Sequence, residues 1–432
     1  MACFNNKTRQ YKHIVGVLNA FYMKNYFLLL LAFITITSLQ SCKKDTSNYD
    51  AFATKLEKSI NEHNPDFFNQ HFGFQAIINN IVNSIEVPDE YRKGFEMGVQ
   101  HDLNVGETIV NLLGEDGAIK LLKIKTSPQP TAFYRVASSQ GINYIEMYLT
   151  PSDSTEDKVL IKDFYIYRGG LTFSSTLQRL YYSPLANKLD SVKMNKTPST
   201  EQAFIRNLAK IDTLTGLAEQ KKYDEALALY ATIPKALQQD KMLQVMRLNI
   251  AHQMGGKTYD DAIEEYQNLF PNDAALAYMQ MNMAMADHDS LKLYTSIDAL
   301  DKSIGGDPYL DIIRSDISYS YQNTVKARSY LENAIKTDPD LEDAYWRLVG
   351  LLIDGGKYDD AVAYFPKMKE LFKVNPANFL PRDEYNGFWQ AESYKKWAEK
   401  NPIDSSMLDA QQIAPQMPFD EEGADGHEGH GH

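Results

Sequence analysis

Residues 357–365 read KYDDAVAYF, and two earlier stretches are near copies of them, KYDEALALY at 222–230 and TYDDAIEEY at 258–266. A fourth, VKARSYLENAIKTDP at 325–339, fits more loosely. The alanines are the common anchor: Ala226, Ala262, Ala327 and Ala361 lie 36, 65 and 34 residues apart. The longest gap has room for one more unit, LKLYTSIDALDKSI at 291–304, centred on Ile297. Self-similarity at a fixed period near 34 marks paired helices that stack in series. One such pair cannot bury its own apolar faces, so its neighbours must do it.

Each repeated position has a physical task. Ala262 and Ala361 are small where the second helix of a unit crosses the first. Tyr259 and Tyr358 open the second helix and cover the core inside the unit. Asp260 and Asp359 favour the positive end of that helix. The fullest copy, AYWRLVGLLIDGGKYDDAVAYF from Ala344, places Leu348 four residues on, Gly356 two before Tyr358, then Ala361 and Phe365. This spacing resembles the tetratricopeptide repeat, with Val349 in place of the usual small glycine. Ala327, Leu331, Ala334 and Pro339 match the second half of the motif. The resemblance spans residues 201–376 in about five helix pairs, an all-α superhelix. It implies a protein or peptide partner on a concave face lined by first helices. Trp346, Tyr345 and Arg347, with Tyr319 and Asp316 one unit earlier, are the candidate anchors, since Trp and Arg are favoured at interfaces. Packing of Trp346 against the next unit is the alternative. DEYNGFWQAESYKKWAE at 383–399 reads as an amphipathic capping helix within 377–400.

Residues 51–190 carry a different pattern. Phe52, Leu56 and Ile60 fall at helical spacing, and so do Ile77, Ile78, Ile81, Val82 and Ile85. Asn64-Pro65 and Val87-Pro88 interrupt them, and ETIVNLL closes a third helical piece. IKLLKIKT, FYRVAS, INYIEMYL and VLIKDFYIY then read as strands, separated by SPQP, SQG and PSDSTED. Helices followed by consecutive strands predict an α+β domain, its helices laid across an antiparallel sheet. That order of elements resembles nuclear-transport-factor-like or cystatin-like domains. NKTPSTEQ is a linker.

The beginning gives an address. From Met23 a basic residue, Lys24, precedes an apolar run shorter than a spanning helix needs. It ends Leu39-Gln40-Ser41-Cys42, which resembles the lipobox of bacterial lipoproteins, although Gln40 departs from the commonest pattern. The resemblance implies that Cys42 is lipidated, which anchors the chain in the cell envelope on the periplasmic or surface face of an outer membrane. A plain signal peptide is the alternative. Residues 1–22 read as an over-long gene start, and 43–50 (KKDTSNYD) as a polar tether. A repeat lipoprotein of this kind is Bacteroidetes-like.

Residues 1–42 hold four Lys or Arg and no acid, so the remainder has 40 basic and 57 acidic residues, a charge of −17. That argues against nucleic acid, whose binding needs basic groups. No catalytic motif occurs, and the expectation is a protein that is not an enzyme and holds no cofactor. His427, His430 and His432 in the polar tail 404–432 are imidazoles suited to Ni²⁺, Cu²⁺ or Zn²⁺, against a solvated tail as the plainer reading. Met279, Met281, Met283 and Met285 read as core filler, and His63 and His71 as surface histidines flanking a loop. Two further functions stay open. One is ligand capture, of a glycan or nutrient, beside a transporter. The other is an enzyme pocket in the first domain lined by Asp163, His101 and Tyr144.

Overall fold

A computed structural model describes residues 47–114, 117–138, 141–155, 157–187, 199–380 and 384–402. Cys42 and the histidine-bearing tail lie outside them. No described helix is long and apolar enough to cross a membrane.

The chain is already helical at Ser47, inside the stretch expected to be a tether, and Tyr49 is buried. Helix α1 (Ser47–Asn61) buries Phe52, Leu56 and Ile60. The expected loop at 64–70 is also helical: α2 (Asp66–His71) forms there because Phe68 and His71 both have an apolar site to fill. His71 is 4% exposed. Its ring packs 4.2 Å from that of Phe67, and Nε2 lies 3.3 Å from the Asp157 carboxylate. It is a packed residue, unlike His63, which is exposed and contacts the Gly114 carbonyl at 3.0 Å. Helices α3 (Phe74–Val82), α4 (Asp89–Asp102) and α5 (Val105–Asn111) complete the group.

Strands β1 (Ala118–Lys125), β2 (Thr131–Ser138), β3 (Gly141–Pro151), β4 (Val159–Ile166) and β5 (Leu171–Thr172) form one antiparallel sheet in sequence order. Side chains alternate across it. Tyr134, Val136, Ile145, Met147 and Phe164 face the helices, joined by α6 (Phe173–Tyr182). Ile142, Tyr144, Tyr165 and Tyr167 face the other way and pack with residues of the helical array. The sheet is therefore covered on both sides. That is why FYRVAS lacks a clean apolar–polar alternation: Thr131 to Val136 are buried without a break.

The array has five helix pairs: α7 (Ser199–Glu219) with α8 (Tyr223–Ala231), and, after the single turn α9 (Lys235–Gln238), α10 (Lys241–Met254) with α11 (Gly256–Leu269). Then come α12 (Ala274–Ala286) with α13 (Ser290–Ile304), α14 (Tyr309–Ser320) with α15 (Thr324–Thr337), and α16 (Glu342–Asp354) with α17 (Tyr358–Phe372). Four of the five pairs turn on the same backbone device. Lys221, His288, Gln322 and Gly356 have φ of 59°, 53°, 58° and 66°. The next residue's N–H reaches back to the carbonyl of Leu217, Ala284, Ser318 or Leu352, at 2.9, 3.0, 2.9 and 2.7 Å. This left-handed cap satisfies carbonyls at the end of the first helix. Three of the four turn residues are not glycine, so residue type does not announce the turn.

The turns correct the register of unit three. The N–H groups of Ala226, Ala327 and Ala361 donate to the carbonyl four back at 3.0 Å, and Leu293 takes that place in unit three, at 2.8 Å. Ile297 lies one turn later, where Leu331 and Phe365 stand in units four and five. The four anchoring alanines and Ile297 are at most 1% exposed. Met279 and Met281 are buried, and Met283 and Met285 half-buried against the same core. At the end, the expected single cap is two short helices, α18 (Asn386–Gln390) and α19 (Glu392–Lys400), broken where Ala391 turns extended. They still close the last unit, with Phe388 and Tyr394 buried in its core.

Candidate functional site

The first helices of the array meet two different surroundings along their length. Their N-terminal ends press against the sheet. Asp307, just before α14, has a fully buried carboxylate, 2.5 Å from Arg135 Nη1. It also accepts the Tyr144 hydroxyl at 2.8 Å and the Tyr309 N–H at 3.0 Å. The Arg135 guanidinium lies 5.0 Å from the Tyr309 ring centroid. Nearby, the Tyr278 hydroxyl donates to the Ile142 carbonyl at 2.7 Å. At Gly170, φ is +63° and an added Cβ would sit 2.6 Å from the Met279 methyl. The sheet is thus locked to α10, α12 and α14, and this stretch of the array is not free for another molecule.

The C-terminal halves of α10 and α12 border an open groove. Counted back six residues from the turn residues of units two to five (Gly255, His288, Gln322 and Gly356), the equivalent positions are Asn249, Asn282, Asp316 and Gly350. The first three are polar and come one per unit. Asn249 is exposed and Asn282 half-buried. Both line a groove of about 440 Å³ with Tyr223, His252, Gln253 and Met283. A carboxamide offers both donors and an acceptor, the pairing that an extended peptide backbone needs. Neither asparagine was a candidate from sequence. Their spacing of 33 and then 34 residues to Asp316 was visible, but the turns that give it meaning were not.

Asp316 continues the row as a built polar junction. Arg347 Nη1 lies 2.7 Å from its carboxylate, the two side chains being 13% and 8% exposed. Burial raises the Asp316 pKa to about 6, with Asp343 adding to it and Arg347 opposing it. Burial outweighs the ion pair here because a desolvated carboxylate loses more than one cation returns. The sign follows: a carboxyl raised from 3.8 to about 6 in the folded state adds stability below pH 4 that is lost as pH rises through 6. Asp316→Asn is therefore expected to gain stability relative to the parent between pH 4 and 7, read from urea midpoints at each pH. A difference constant across that range would disprove the assignment.

The other candidates separate. Tyr345 is 2% exposed and packs its ring 5.4 Å from that of Phe372, so it is a core residue and not a surface anchor. Trp346 is half-buried; its Nε1 donates to Glu342 at 2.9 Å and its indole lies edge-on to Phe379 at 5.8 Å. Tyr319 is half-buried beside the Asp354 carboxylate, 3.4 Å away. The three residues considered for an enzyme pocket do not converge. The Asp163 carboxylate accepts the Ser174 hydroxyl and N–H at 2.5 and 3.1 Å, holding the start of α6. His101 is exposed in the last turn of α4, and Tyr144 is sealed in the seam.

No family model and no curated protein matches this chain. Among solved structures, the crystal structure of PilW, a widely conserved type IV pilus biogenesis factor, is similar to it at 16% identity with a TM-score of 0.27, over 47% of this chain and 96% of that one. A likeness at that score carries no functional argument.

Proposed function

We propose that this chain is a non-catalytic interaction protein, tethered to a bacterial envelope membrane through Cys42, that holds an extended segment of a protein partner in the groove of its first helices. One observation carries the reading. Asn249 and Asn282 stand at the same place in successive units and line one groove, on the half of each first helix that the sheet leaves uncovered, and Asp316 holds the next place, buried against Arg347. A row of hydrogen-bonding groups at the repeat spacing suits a ligand that is itself extended. Burial of the opposite ends against the sheet fixes the helices, so little ordering cost remains at binding. The lipobox-like Leu39-Gln40-Ser41-Cys42 supports the tether.

The test is affinity capture from a mild detergent extract, with the full chain and with the Asn249→Ala, Asn282→Ala double variant. Two lost hydrogen bonds are expected to weaken binding of the recovered partner about tenfold or more. Recovery of the same partners at equal strength by the double variant would refute the groove. Cys42→Ser is expected to move the chain from the membrane to the soluble fraction, and retention in the membrane would refute the tether.

A further inference from the structure

The face of the sheet that seals against the array does not end at the seam. Beyond Tyr144 it continues over a cleft of about 370 Å³ between the sheet, α6 and the starts of α10 and α12. The floor is set by strand register. Phe133 stands opposite Glu146 and Glu146 opposite Tyr165, with Tyr148 two residues along β3 on the same side. The rim holds Lys125, Arg179, Asp240, Lys241 and Asp273. Aromatic rings from three strands meet here: Phe133 and Tyr165 are buried beneath Lys125 and Lys241, and Tyr148 is the more open ring.

The charges in this cleft decide what it can hold. Three cations face three carboxylates, and four of the six are already spoken for. Arg179 pairs with Asp240, and Lys241 lies 2.7 Å from Asp273. Lys125 rests 4.7 Å from the Phe133 ring centroid. The Glu146 carboxylate accepts the Tyr167 hydroxyl at 2.6 Å. Desolvation raises its pKa, while the Tyr167 hydrogen bond and Lys125 oppose the rise. An anionic ligand that met Lys125 would also meet the Glu146 carboxylate, a cationic one would meet the reverse, and any other ionic partner would have to break a pair that already exists. A purely apolar ligand would strip water from Glu146 and from both ion pairs. A ligand with a flat C–H face and several hydroxyls avoids both losses: the face lies on Tyr148, and the hydroxyls donate to the carboxylates and accept from Lys241 and Arg179. The volume is in the range of small-molecule sites.

We propose that the cleft between the sheet and the first helices of units two and three binds a neutral saccharide, stacked on Tyr148 and hydrogen-bonded by Glu146. This goes beyond the groove and does not depend on it. The test is calorimetry on the folded chain with glucose, galactose, mannose, N-acetylglucosamine, maltose and cellobiose at millimolar concentration. At least one is expected to bind, and Tyr148→Ala and Glu146→Gln are each expected to weaken it about tenfold. Asn249→Ala, in the groove, is expected to leave it unchanged. Tyr148 is half-buried and Glu146→Gln keeps the side-chain shape, and circular dichroism checks that both variants are folded. The proposal is overturned if none of the six sugars binds, if binding survives unchanged in both cleft variants, or if glucuronate or glucosamine binds more tightly than the neutral sugars.

Discussion

Arg135→Ala is expected to cost about 3–5 kcal/mol of stability, the range for breaking a buried ion pair by removing one partner. Arg135 is 5% exposed and the Asp307 side chain is fully buried. Without the guanidinium, that carboxylate keeps only the Tyr144 hydroxyl and the Tyr309 N–H. Neutral donors do not balance a buried charge. The loss should also change the form of the transition. Arg135 belongs to β2 and Asp307 to the turn before α14, 172 residues later, so the pair joins the two halves of the chain. Urea unfolding followed by circular dichroism is expected to change from one transition to two, the sheet and the array separating. Replacing both partners with apolar residues, Arg135→Met with Asp307→Leu, is expected to lose less than Arg135→Ala alone, because no charge is left uncompensated. A cost below about 1 kcal/mol for Arg135→Ala would mean that water reaches the seam and that the two halves are not locked together.

The contrast between the two halves shows what a sequence exposes and what it hides. The array was legible because its contacts are local. Ala226, Ala262, Ala327 and Ala361 are each small for the same reason, and that reason repeats along the chain. Unit three was placed in the right region but one turn late, because Leu293 occupies the alanine's place and the turn before it rests on His288, not glycine. The seam was hidden for the opposite reason. Nothing near Arg135 or Asp307 in sequence says that these two residues meet. Tyr345 is a different case. Tyr345, Leu348, Val349 and Leu352 follow the helical period and are all buried, so periodicity already pointed it inward, while interface composition pointed it outward. Periodicity prevailed because burial of a helix face is a property of the fold, whereas composition is only a tendency of interfaces. The cleft was illegible in principle: Phe133, Glu146 and Tyr165 share a floor only through strand register.

Phe365→Ala tests the serial character of the array itself. Phe365 is fully buried, 5.5 Å from the Trp397 ring and 6.0 Å from that of Phe388. It therefore ties α17 to both capping helices. Removing a ring of this size from a core costs about 3–5 kcal/mol. In a stack where each unit touches only its neighbours, that loss stays near the end where it occurs. The chain carries a reporter for that end, since its three tryptophans are Trp346, Trp389 and Trp397, all in the last unit or its cap. Tryptophan emission thus follows unit five alone, whereas far-ultraviolet circular dichroism follows every helix and the sheet. In the variant, the emission transition is expected at clearly lower urea than the main circular dichroism transition, which moves little. Phe365→Leu, with a smaller cavity, is expected to fall between the variant and the parent. The two signals moving down together by the full amount would show that unit five unfolds only with the whole chain. The pairs bearing Ala226, Ala262, Leu293, Ala327 and Ala361 would then act as one cooperative block, with stability no longer a sum over neighbours. The opposite result would locate the weak point of the molecule at its C-terminal end, away from the seam that fixes units two to four.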